Sequence, residues 1–181
     1  WSIASGNDDG VFAIGASTGA ITVADTTNLD KETTASYDLV VQATDGTTPD
    51  TETITITITD VAPTVTDTSA NLAEDASASD AVVTVSTTGD TTSLTWSIAS
   101  GNDDGVFAIG ASTGAITVAD TTNLDKESTA TYNLVVQATD GTTADTETIT
   151  ITITDVAPTV TDTSANLAET AAANAAVVTV S

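Results

Sequence analysis

Apolar residues recur at every second position in a series of short runs along this chain. SLTWSIA places Leu94, Trp96 and Ile98 on one face, VFAI adds Phe107 and Ile109, and AITVA adds Ile116 and Val118. YNLVVQA aligns Tyr132, Leu134, Val136 and Ala138, and ETITITIT aligns Ile149, Ile151 and Ile153. AVVTVS at 81–86 and PTVT at 63–66 complete the set. A period of two marks a half-buried strand, because successive Cβ atoms point to opposite faces of a sheet. Between the runs, GNDDG and STGA supply turn chemistry. Seven short strands without a helical period predict an all-β, two-sheet sandwich.

The pattern occurs twice. WSIASGNDDGVFAIGASTGAITVADTTNLDKE, bar its last residues a β pattern, opens at Trp1 and again at Trp96, a period of 95 residues, and residues 1–86 match 96–181 at all but eight positions. A period this long denotes tandem domains, not a solenoid. Pro63 and Pro158 follow the last strand of each copy, where a missing N–H costs least, so the boundary falls at Asp60-Val61-Ala62-Pro63. Three segments are expected: 1–60, a domain lacking its first strands; 61–156, a complete domain; and 157–181, the opening strands of a third repeat. Taken alone, 1–60 exposes Trp1, Phe12, Ile21 and an open sheet edge. The expected remedy is that 157–181 packs against a copy of 1–60, either by strand donation between molecules joined head to tail or within one longer continuous array.

Charge narrows the function. The chain holds 26 acidic residues against two lysines, with no Arg, His, Cys or Met, for a net charge of −24. That balance disfavours nucleic acids and anionic membranes as partners and favours cations. Without His or Cys there is no ordinary base, nucleophile or transition-metal ligand. Paired carboxylates alone can cleave glycosides, but these acids gather at the ends of the predicted domains, and six aromatic residues cannot line a sugar cleft. An enzyme is not expected. The acids of GNDDG read as a turn, and the Thr/Ile comb of TITITIT as a structural strand with Ile54, Ile56 and Ile58 facing the core.

The segment VFAIGASTGAITVADTTNLDKESTATYNLVVQATDG resembles the cadherin domain. The family pattern FxI..xTGxI…LDRE…YxLxVxAxDxG is matched in order by Phe107, Ile109, Thr113-Gly114, Ile116, Leu124-Asp125-Lys126-Glu127, Tyr132, Leu134, Val136, Ala138, Asp140 and Gly141. The resemblance implies tandem seven-stranded Greek-key β-sandwiches of cadherin or immunoglobulin type. It also implies Ca²⁺ between successive domains. The implied ligands at the first junction are Asp30, Glu32, Asp60, Asp90 and Asp140. At the second they are Glu74, Asp125, Glu127 and Asp155, and Glu169 would join Asp30 and Glu32 once a strand is donated. Two departures from the pattern imply fewer ions per junction: DVAP is three residues shorter than the family's DxNDNxP linker, and Thr88-Gly89-Asp90 replaces its DxD.

Near-identical, acidic, Thr-rich copies look like the extender regions of bacterial surface adhesins. The expectation is therefore a secreted or surface-attached, calcium-stiffened spacer or filament segment whose partners are other copies of itself. The alternative is a sandwich that binds a carbohydrate or a protein in cell adhesion.

Overall fold

The computed structural model describes residues 1–161 and 164–179; parts of the predicted third-repeat segment, at 162, 163, 180 and 181, lie outside the described residues. The first repeat contains β1 (Ser2–Ser5), β2 (Phe12–Ile14), β3 (Ile21–Val23), β4 (Ser36–Thr44) and β5 (Pro49–Thr57). The second contains β6 (Thr64–Val65), β7 (Ser69–Ala73), β8 (Ala81–Thr84), β9 (Thr87–Thr88), β10 (Thr95–Ser100), β11 (Phe107–Ile109), β12 (Ala115–Val118), β13 (Thr131–Thr139) and β14 (Ala144–Thr154). No helix occurs among the described residues.

The second repeat is a sandwich of two sheets. One has the order β10-β13-β14-β7 and the other β11-β12-β8, with β6 and β9 forming a short ribbon beside them. β7 lies parallel to β14, with Ala70 opposite Ile151 and Leu72 opposite Ile153. Alternation fills the space between the sheets: Leu134, Val136, Ile149, Ile151 and Ile153 are fully buried. Each such side chain contributes roughly 1.5–3 kcal/mol by leaving water. Phe107 meets Tyr132 edge to face at 5.1 Å. The Tyr132 hydroxyl donates to the Asn123 carbonyl at 2.8 Å, pinning the loop that carries Asp125 and Glu127 to the core.

Two elements escape the pattern of apolar positions, β7 and β9. SANLA carries one large apolar side chain, so it shows no alternation, and β9 is two residues long. GNDDG is a turn, closed by the Gly105 N–H on the Asn102 carbonyl at 3.0 Å. The Asn102 amide brackets Phe107, donating to its carbonyl at 2.8 Å and accepting from its N–H at 3.0 Å.

The first repeat repeats the sheet β1-β4-β5 and the hairpin β2-β3 in the same registers, around a smaller core of Val11, Phe12, Tyr37, Leu39 and Val41. Among the described residues, nothing stands against β5 or β3 on the sides where β7 and β8 stand in the second repeat. Trp1 is 51% exposed where Trp96 is 6%, Val23 is 54% where Val118 is 2%, and Ile54 is 39% where Ile149 is 0%. Of the three isoleucines expected to face the core of the first repeat, Ile56 and Ile58 pack against it half-buried, whereas Ile54 is exposed. Its side chain points as the alternation requires, but among the described residues no opposing strand covers it.

Candidate metal centre

The acidic groups are aimed by local backbone. Asp30, at the start of the first DKE, folds into an Asx turn: its carboxylate accepts the Glu32 N–H at 2.9 Å and the Thr33 hydroxyl at 3.0 Å. The Thr33 hydroxyl and these amides hold the Asp30 carboxyl below its ordinary range. From the second repeat, Asp140 directly follows β13 and accepts the N–H groups of Thr142 and Thr143 at 2.8 and 2.7 Å. Those amides, Thr143 first, keep it ionised although it is buried. Asp90 accepts the Thr92 N–H and hydroxyl at 2.8 and 2.7 Å. The preceding Gly89 has φ +82° and lies so close to the linker that a Cβ would come within 2.4 Å of the Ala62 carbonyl. Only glycine lets the Asp90 loop press onto Val61-Ala62-Pro63 in this way.

The result is a five-carboxylate junction. Asp30, Glu32 and Asp90 form one group of oxygens within 4.8 Å of one another, and Glu32, Asp60 and Asp140 form another, sharing Glu32. Loop, linker and the facing repeat each contribute. Both oxygens of Glu32 and both of Asp60 are buried without a hydrogen-bond partner. Thr142 stands near enough to favour the Glu32 anion, but burial, Asp30 and the Asp60 charge outweigh it and raise the Glu32 carboxyl above its ordinary range. Buried polar atoms are ordinarily paired, and four orphaned carboxylate oxygens in one place fit a hard cation, which takes oxygen ligands. The chain's two lysines cannot supply that charge throughout.

The second junction is built from the same loop with other partners. Glu74, Glu127 and Asp155 converge within 4.8 Å. Glu74 accepts the Val156 N–H at 2.8 Å and the Lys126 N–H at 2.9 Å, which ties the end of β7 to both the loop and the linker. The Val156 amide, then that of Lys126, lowers the Glu74 carboxyl. Glu127's own amide favours its anion, yet burial and the charges of Glu74 and Asp155 raise it. Asp125 orders the loop by accepting the Glu127 N–H at 2.9 Å and the Ser128 hydroxyl at 2.8 Å, and it lies beside the group of three without entering it. Glu169 is exposed and apart from every acidic group among the described residues. The acids were legible in the sequence; the orphaned burial of Glu32 and Asp60 was not, because it arises only when the two repeats close on the linker.

The family described as "Cadherin domain" matches residues 1–59 and 68–154. Human protocadherin Fat 1 is 36% identical over 152 residues, 77% of this chain, which spans 3% of that protein's length. Among solved structures, Drosophila N-cadherin EC1-3 is similar at a TM-score of 0.48 and 22% identity, covering 86% of this chain and 54% of that one. Human protocadherin-24 EC1-2 gives a TM-score of 0.43 and 21% identity, covering 84% of this chain and 80% of that one.

Proposed function

The chain belongs to the cadherin family, and from that premise we propose that it is a calcium-stiffened spacer or filament segment of a bacterial surface adhesin. Cadherin domains are extracellular adhesion modules without enzymatic activity. No helix among the described residues is long and apolar enough to cross a membrane. The bacterial extender reading is supported by the near-identity of the copies, since eight differences in 86 positions leave little room for a specialised binding face.

One observation carries the calcium reading: the buried, unpaired oxygens of Glu32 and Asp60 between two repeats. Asp30, Glu32, Asp60, Asp90 and Asp140 would hold the ion at the first junction, and Glu74, Glu127 and Asp155 at the second. Ca²⁺ bound there supplies the positive charge that the junction lacks. The chain's own residues do the positioning: Asx turns at Asp30, Asp90 and Asp140 fix three carboxylates, and Gly89 sets the loop against the linker. Without a cation these like charges repel and the joint opens; with one, the same charges lock it.

A calcium titration followed by small-angle scattering and thermal melting tests this. The expected outcome is a longer, stiffer particle with a higher melting temperature in calcium, by mass action on the closed form. Equal maximum dimensions and melting temperatures with calcium and with chelator would refute it.

A further inference from the structure

The outward face of the four-stranded sheet β10-β13-β14-β7 carries no charge, in a chain with 26 acidic residues. Every outward position of β14 from Thr146 to Thr154 is threonine. Beside them, β13 sets Gln137 opposite Thr146, Val135 opposite Thr148 and Asn133 opposite Thr150. β7 and β10 contain no charged residue. The two acids of β14, Asp145 and Glu147, alternate with its threonines and so lie on the other side of the sheet, where Asp145 accepts the Val65 N–H at 2.8 Å. Val135, half-buried, sits at the middle of β13, with the amides of Asn133 and Gln137 on either side of it along the strand. An apolar centre within a polar surround is the anatomy of a protein–protein contact.

The same face of the first repeat is set apart by one charge. Residues 1–60 and 96–155 differ at Thr33/Ser128, Ser36/Thr131, Asp38/Asn133 and Pro49/Ala144, and the last three pairs all stand at outward positions of this sheet. Asp38 is the acid among them. The Thr55 hydroxyl donates to its carboxylate at 2.6 Å, as the Thr150 hydroxyl donates to the Asn133 amide oxygen at 3.2 Å. The strand pair thus accommodates acid and amide alike, and what changes between the repeats is the charge of the face.

We propose that two copies of this chain associate side by side through this charge-free face, second repeat against second repeat. Copies with a net charge of −24 repel, so contact is favoured where neither brings a charge. Hydroxyls and amides both donate and accept, so such a face complements a copy of itself under two-fold symmetry. A sugar finds no ring to stack on, since Trp96, Phe107 and Tyr132 are buried inside the sandwich. Strands spaced about 4.8 Å apart and averaging about 25 Å in length give roughly 500 Å² per copy. About 1,000 Å² in total lies at the low end for a specific interface. One pair of repeats is therefore a weak contact, which tandem repeats laid side by side multiply. The face is a flank of the repeat, away from the acidic groups at its ends, so the contact does not depend on a cation at the junctions.

Sedimentation of the 181-residue chain over a range of concentrations, at low and high salt, tests the proposal. Chelator is present throughout, which keeps the outcome independent of the calcium reading. The expected result is a monomer–dimer equilibrium with half-association at about 0.1–1 mM. Salt screens the net charge and shifts it to lower concentration. Asn133→Asp buries two unpaired carboxylates in each pair and raises the half-association concentration about tenfold or more. Its melting temperature stays that of the parent chain, because Asp38 already occupies the matching position in the first repeat. Asn133→Ser adds no charge and shifts association far less. A chain still monomeric at about 1 mM in high salt, association that salt weakens, or association that Asn133→Asp leaves unchanged would each overturn the proposal. Retention of the monomer on a neutral polysaccharide, lost in Asn133→Asp, would overturn it in favour of a glycan.

Discussion

Ile54 and Ile149 occupy the same position in the same strand, flanked by the same residues, and differ completely in environment. Ile149 is sealed between two sheets, whereas Ile54 faces water. Their strands pair with β4 and β13 in matching registers, so alternation and cross-strand pairing are satisfied in both repeats. The difference lies in β7 and β8, which cover one sandwich; among the described residues no strand takes their places on the other. Strand formation is thus a local property of this sequence. Core formation depends on a segment that precedes the repeat's own tryptophan.

The sharpest way to test that contrast is the paired substitution of these isoleucines. Ile149→Ala should cost about 2–5 kcal/mol, as expected for a cavity in a closed core, and Ile54→Ala about 1 kcal/mol or less. Denaturant unfolding resolves the two, because each repeat carries one tryptophan, Trp1 or Trp96, as its fluorescent reporter. Equal costs would show that the first repeat is closed after all.

The junctions give the next largest contrast. Glu32→Gln removes a carboxylate shared by two groups, and Glu127→Gln removes one from a single, more exposed group. Isothermal titration should show calcium affinity falling about tenfold or more for Glu32→Gln and less for Glu127→Gln. In chelator, Glu32→Gln should raise the melting temperature, since it removes a charge that nothing in the protein pairs.

Some features should not distinguish the repeats. Tyr37 and Tyr132 donate to Asn28 and Asn123 at 2.8 Å each. Tyr37→Phe and Tyr132→Phe should each cost about 1 kcal/mol, and a large difference would mean that the loops depend on the missing cover.

The smallest effects concern pH in the metal-free protein. The Glu32 carboxyl is raised above its ordinary 4.5: Thr142 favours the anion, but burial and the neighbouring acids outweigh it. Its contribution favours the closed junction below that value and is lost as pH rises through the folded-state midpoint. Asp45 has the opposite sign: the Thr47 and Thr48 amides hold it down to about 2, so its stabilisation is full above 3.8 and lost as pH falls toward 2. Carboxyl chemical shifts followed by NMR should show Glu32 titrating above 4.5 and Asp45 near 2; a Glu32 midpoint at or below 4.5 would contradict the burial of its oxygens.

Most of the fold was legible because its longest strands alternate without interruption, as Tyr132-Leu134-Val136-Ala138 does. β7 was not, because Leu72 stands alone among small and polar residues and its role is set by the neighbour it lies along. The acids that meet at the junctions were legible from LDKE, DVAP and the repeat. Which oxygens would be stranded was not, since that depends on how the two repeats close on the linker. The position of Ile54 was legible and its exposure was not: alternation fixes the direction of a side chain but not what it meets.

The parallel seating of β7 on β14 has a mechanical consequence. These strands lie next to the two ends of one repeat, so tension along the chain drags β7 backward and β14 forward. Their hydrogen bonds, from Ser69–Thr150 to Ala73–Thr154, are then loaded together in shear instead of being unzipped one at a time. A sandwich latched in this way yields at a higher force than one peeled from an end.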